Sequence, residues 1–116
     1  MDERVLKWLY DIKLAINEIE SYFDGQKRDF FVYRKNTMLK RAVERDLEII
    51  GEAMNRILKK DFSFDKTITE AKSIIGLRNQ VIHAYDNISD ENIWSILINH
   101  LPKLKNEIEK IIYDNE

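Results

Sequence analysis

LKRAVERDLEIIGEAMNRIL, residues 39–58, is the stretch whose reading decides the fold. Leu39, Val43, Leu47, Ile50, Met54, Ile57 and Leu58 recur at three- and four-residue steps, the spacing that stacks side chains along one face of an α-helix. Ala42, Ile49 and Ala53 widen that stripe, so the helix is expected to pack on two sides. Gly51 within it costs about 1 kcal/mol relative to alanine. Close approach of another helix is the expected compensation.

Working outward, Val5, Trp8, Leu9, Ile12, Ala15, Ile16, Ile19 and Phe23 form a similar face, predicting a helix over residues 2–23 that stops at Gly25. The charged segment DGQKRDFFVYRKN, residues 24–36, reads as a loop between the two helices. Beyond the central helix, Thr67-Ile68-Thr69-Glu70 has the form of a capping box. It predicts a third helix carrying Ile74, Ile75, Leu77, Val81 and Ile82 and ending near Asn87. Ser89, followed by Asp90 and Glu91, reads as the cap of a fourth helix through Trp94, Leu97, Leu101, Leu104, Ile108 and Ile112. Pro102 lies inside that run, so a kink or break is expected there. There are no repeats, linkers or low-complexity tracts. The expected fold is all-α, an antiparallel bundle of four or five helices forming a single domain over residues 1–116.

Composition excludes several chemistries. Three glycines and one proline leave few places for the turns of a β-fold. With no cysteine, disulfides, thiolate nucleophiles and Cys-based zinc sites are all absent. Residues are 44% hydrophobic and 34% charged, and no apolar run approaches the ~20 residues a membrane span needs. The N-terminal sequence MDERVLKWLYDIK has acidic residues where a signal peptide would be basic, so a cytoplasmic location with no membrane partner is expected.

Charge is unevenly placed, although the net is only −2. From Asp24 to Arg45 there are seven basic residues against three acidic; from Asp86 to the end there are seven acidic against three basic. A polyanion could meet a positive patch here, with Arg34, Lys35 and Arg41 as candidate RNA contacts. Ordinary solvated faces and intrahelical ion pairs would produce the same pattern. Glu48 and Glu52, one turn apart, are too few ligands for a metal site and are expected to pair with Arg45 or Arg56. No metal or cofactor is expected.

The chemistry-bearing stretch is RNQVIHAY, residues 78–85. On a straight helix Arg78 and Tyr85 nearly eclipse, whereas His83 lies about 140° around the axis from Arg78. A single helix therefore does not converge the three groups. A distorted helix end or a second copy of the chain would complete a site; a hydrogen-bonded helix histidine and an amphipathic tyrosine are the alternative. His100 has no such neighbours and is expected to be structural or superficial.

The order Arg78-Asn79-x-x-x-His83-x-Tyr85 resembles the R-x4-H-x-Y signature of the HepT-like toxins, a branch of the HEPN superfamily of small helical ribonucleases and nucleotide-binding domains. AVERDLEIIGEA, Ala42 to Ala53, is similar to the second-helix hallmark of the same family, and HLPKL to its last helix. The resemblance covers most of the chain. Many relatives carry Pro-Trp before the motif helix, where this chain has Thr69, Glu70 and Ala71. The resemblance implies metal-independent RNA cleavage by a homodimer, or a higher oligomer, whose motif helices line a shared cleft. Arg78 and His83 would be catalytic and Asn79 supporting. It also implies a cognate MntA-type nucleotidyltransferase antitoxin that transfers AMP to the motif tyrosine, here Tyr85. A non-catalytic HEPN module binding a nucleotide or a nucleotidyltransferase, or a plain helical dimerisation domain, are the other readings.

Overall fold

The computed structural model describes residues 1–83 and 89–115, with the description confined to backbone at Arg78, Gln80, Val81, Ile82 and His83. Asp2 caps the first helix, α1 (Glu3–Tyr22), its carboxylate accepting from the Arg4 amide at 2.7 Å. Val5, Leu9, Ile12, Ala15, Ile16 and Ile19 form its buried stripe. Beyond its end Gly25 takes φ +70°, a left-handed turn that favours glycine.

The segment read as a loop contains a short helix, α2 (Phe30–Lys35). Asp29 caps it, accepting from the amides of Phe31 and Val32. Asn36 then caps the central helix, α3 (Thr37–Lys60), through the Leu39 amide. On α3, Val43, Leu47, Ile50, Met54 and Ile57 are fully buried and Gly51 is buried among them. The helix packs on α1 and on α5 (Ala71–His83), which are its two expected contact sides.

The capping box is a correction. Thr67 instead ends a one-turn helix, α4 (Phe64–Thr67), and α5 starts four residues later. Distant partners take the groups a local cap would have used: Thr69 donates its amide and hydroxyl to Glu107, and Glu70 meets His100 and Lys103. The expected end of this helix near Asn87 lies outside the described residues. Ser89 does cap α6 (Asp90–Ser95), accepting from the Asn92 amide.

The expected disturbance at Pro102 occurs one turn earlier. Ile96–His100 is a π-helical turn in which the Leu101 amide reaches back five residues to the Ile96 carbonyl. Pro102 thus falls in the first turn of α7 (Leu101–Asp114), where its missing N–H matters least.

Ion pairs fix the directions of the helices. Lys60 at the end of α3 lies 3.8 Å from Asp2 at the start of α1, and Glu20 at the end of α1 lies 2.7 Å from Lys105 near the start of α7. α1 is thus antiparallel to both α3 and α7, in the expected all-α bundle with no strand among the described residues. No described helix is long and apolar enough to cross a membrane.

Candidate active site

α5 turns Ala71, Ile74 and Leu77 into the core and leaves Lys72, Ser73, Gly76 and Asn79 exposed. Its backbone remains helical to His83, so the Cα positions of Arg78 and His83 stay about 140° apart around the axis. The arginine and histidine side chains lie outside the description, as does all of Tyr85. Asn79 is brought to the surface of the motif helix.

α2, the start of α3 and the start of α6 meet at one end of the bundle. Lys40, in the first turn of α3, lies 3.1 Å from Asp90 at the start of α6, and its ammonium also donates to the Arg34 carbonyl in α2. Five residues lie between His83 and Ser89, and the six Cα–Cα steps this makes hold the end of α5 within about 22 Å of Ser89, next to that junction.

Trp94 of α6 fastens α2 at this pole. Its ring lies 5.9 Å from Phe30, 5.2 Å from Tyr33 and 6.0 Å from Phe23, over which the Arg28 guanidinium sits at 5.3 Å. Tyr33 is fully buried, and its hydroxyl finds no hydrogen-bond partner among the described residues. Burial, reinforced by the Glu44 and Asp90 carboxylates, pushes that phenol well above its ordinary range. The Tyr33 hydroxyl therefore stays protonated.

The candidate RNA contacts divide. Arg34 and Lys35 are exposed on the last turn of α2, and neither forms an ion pair among the described residues. Arg41 is committed to Glu44, with one nitrogen 2.9 and 2.6 Å from the two carboxylate oxygens. It offers an anion less than Arg34 or Lys35 does.

The acidic pair behaves as expected. Arg45 meets Glu48 at 3.3 Å and Arg56 meets Glu52 at 3.1 Å. These four residues, with Trp8, line a shallow cleft of about 290 Å³ between α1 and α3. Among the described residues no group of three or more His, Asp or Glu side chains could hold a metal. His100 Nδ1 lies 2.6 Å from Glu70, a clip between the start of α5 and the π turn that makes this histidine structural. What sequence reading missed is α2 itself, with Phe31 67% and Val32 58% exposed beside Arg34 and Lys35. Asp29 just before Phe30 was the available signal, a helix cap inside a segment taken as loop.

Comparison with known proteins agrees with the family resemblance. The family model described as "Ribonuclease HepT-like" matches residues 12–111. A Methanocaldococcus jannaschii protein named "Putative RNase" is 38% identical over 97% of this chain and 90% of its own length. A second so named from that organism is 36% identical over 94% of this chain and 98% of its own. A Thermococcus cleftensis protein named "Probable ribonuclease HepT" is 33% identical over 90% and 92%. No solved structure gives a significant match. With the family model spanning nearly the whole helical bundle, the chain belongs to the HepT-like ribonuclease family.

Proposed function

We propose that this protein is a metal-independent endoribonuclease, the toxin of a toxin–antitoxin pair, that acts through Arg78 and His83 in the cleft of a homodimer. The observation carrying this reading is the order Arg78, Asn79, His83, Tyr85 within a chain of a ribonuclease family. RNA supplies its own nucleophile, so the protein need only move protons and stabilise charge. The 2′-hydroxyl attacks the adjacent phosphorus while neutral His83 takes its proton. The bond from phosphorus to the 5′ oxygen then breaks, and the imidazolium returns a proton to that oxygen. A 2′,3′-cyclic phosphate and a 5′-hydroxyl result. Arg78 offers a fixed fork of donors to the phosphorane oxygens, and Asn79 orients the histidine or the phosphate.

Control runs through Tyr85. Its phenolic oxygen bonds the α-phosphorus of ATP in the active site of a nucleotidyltransferase partner, pyrophosphate leaves, and the phenol proton passes to solvent. The AMP so attached sets a phosphate where the RNA phosphate would bind, excluding substrate by charge and volume.

His83→Ala and Arg78→Ala are expected to lower RNA cleavage by at least ~10²-fold, the usual worth of a proton-transfer group, with little change in thermal melting. Wild-type cleavage is expected to persist in chelator; a magnesium requirement would refute the mechanism. Coexpression with an MntA-type nucleotidyltransferase and ATP should add AMP to wild type and not to Tyr85→Phe, read by intact mass. An unmodified Tyr85 in a fully inhibited complex would place inhibition in the contact between the two proteins instead.

A further inference from the structure

We infer that the outer face of α2 is a single-stranded RNA subsite, in which Phe31 stacks on an unpaired base while Lys35 and Arg34 hold the flanking phosphates. The inference rests on the ribonuclease reading and adds where the substrate lies beyond the scissile bond. Phe31 and Lys35 are four residues apart on one helix, so ring and ammonium stand on the same side. Phe31 is 67% exposed, Val32 58%, and Met38, at the start of α3, 82%. Exposed apolar side chains occur singly on most proteins; three within eight residues beside Lys35, which forms no ion pair among the described residues, call for a ligand.

The charge balance selects the ligand. Of the three carboxylates between Asp24 and Arg45, Asp29 is occupied by the amides it caps and Glu44 by Arg41. Lys27, Arg28 and Lys35 form no ion pair among the described residues, and Arg34, also without one, has the Glu91 carboxylate of α6 as its electrostatic neighbour. The segment therefore presents positive charge on a protein of net charge −2. An apolar protein partner would be repaid by the exposed side chains and not by the cations; a single strand is repaid by both, because every base has a π-face and every linkage an anion.

The platform is also rigid. Phe31 stands edge-on to Phe30 at 5.8 Å, and Phe30 is fixed against Trp94. Lys40 ties α2 to the start of α6, which follows the last residue of the motif helix, His83, within about 22 Å of chain. A strand lying on α2 can extend toward the α5 terminus within a few nucleotides.

The test measures binding of a fluorescein-labelled 2′-O-methyl oligonucleotide, uncleavable because its nucleophile is blocked, as a single strand and as a duplex, alongside cleavage of the matching RNA. Phe31→Ala is expected to weaken single-strand binding by about tenfold to a hundredfold, Phe31→Leu nearly as much, and Phe31→Trp to retain it. Lys35→Ala should lower the salt slope of single-strand binding by about 0.7. Duplex binding should be weaker and indifferent to Phe31. If wild type cleaves RNA and Phe31→Ala binds the single strand as tightly, the subsite is refuted while the ribonuclease reading stands. If wild type neither cleaves nor binds RNA, that reading fails and the subsite falls with it. If Phe31→Ala leaves RNA affinity intact and changes the oligomeric state while Phe31→Leu does not, the face is a contact between copies of the chain and the proposal is overturned. Circular dichroism of each variant separates these outcomes from misfolding.

Discussion

At the residue scale, Asp46 is a buried carboxylate, 3% exposed on α3. Its partner is Tyr22, whose hydroxyl lies 2.7 Å from Asp46 Oδ2 and 2.9 Å from Glu18 Oε1. One phenol has one proton to donate, so it cannot satisfy both carboxylates when both are charged. Burial outweighs the Tyr22 hydrogen bond and raises the Asp46 carboxyl above its ordinary value of 3.8. A protonated Asp46 can donate to Tyr22, which then donates to Glu18. Because the folded state binds this proton more tightly than the unfolded chain, stability contributed at Asp46 grows as pH falls through the raised folded value and levels off below 3.8. Asp46→Asn copies the protonated form at every pH. Its melting-temperature advantage over wild type should be largest near pH 7 and shrink toward about pH 4, and a gap independent of pH would contradict this account. Tyr22→Phe, which leaves the carboxylate without its donor, should cost about 1–3 kcal/mol in denaturant unfolding at neutral pH.

At the scale of the element, two turns carry the bundle's connections. Gly25 sits at φ +70° with nothing within 4 Å of where a Cβ would stand. Gly25→Ala therefore meets no clash with neighbours, and its cost should be only the left-handed backbone penalty of about 1–2 kcal/mol. Gly25→Asn should recover part of that, since asparagine tolerates the conformation better. The second turn is the π segment before Pro102. A proline forced into a continuous α-helix costs about 3 kcal/mol; here the turn has shifted it to the start of α7. Pro102→Ala should therefore change stability by less than about 1 kcal/mol, a few degrees in melting temperature. A stabilisation near 3 kcal/mol would mean that the proline is strained where it stands.

At the scale of the whole molecule, α1 and α5 cover the wide apolar stripe of α3 within one chain, with Leu47, Ile50, Met54 and Ile57 at most 1% exposed, so that stripe leaves no surplus for a second copy. The proposed homodimer rests instead on the motif helix, where about 140° separates Arg78 from His83 and the outer face with Lys72, Ser73, Gly76 and Asn79 is uncovered. A Cβ at Gly76 meets nothing within 4 Å, so Gly76→Leu should leave the isolated chain folded, or slightly more stable given the helix propensity of leucine. In a dimer that apposes two motif helices, the same side chain would separate them. Light scattering at micromolar concentration should then find wild type dimeric, and Gly76→Leu shifted toward monomer with cleavage reduced. A monomeric wild type that cleaves RNA would rule the dimer out.

The sequence by itself determined the helices and their inward faces, because periodicity at 3.6 residues and the scarcity of glycine and proline leave no other way to bury Leu9, Leu47, Ile50 and Leu104. It also carried the spacing of Arg78, Asn79 and His83 on α5, since short-range spacing is preserved in any helix. The start of α5 was decided by tertiary structure: Thr69 and Glu70 have the residue types of a local cap, yet Glu107, His100 and Lys103 from the last helices offer them charged partners. The same holds for α2, six residues that are marginal as an isolated helix and persist because Trp94, sixty residues away, packs on Phe30 and Tyr33. Long-range contacts of that kind leave no period in the sequence, which is why the exposed face of α2 became legible only once the bundle had closed around its other side.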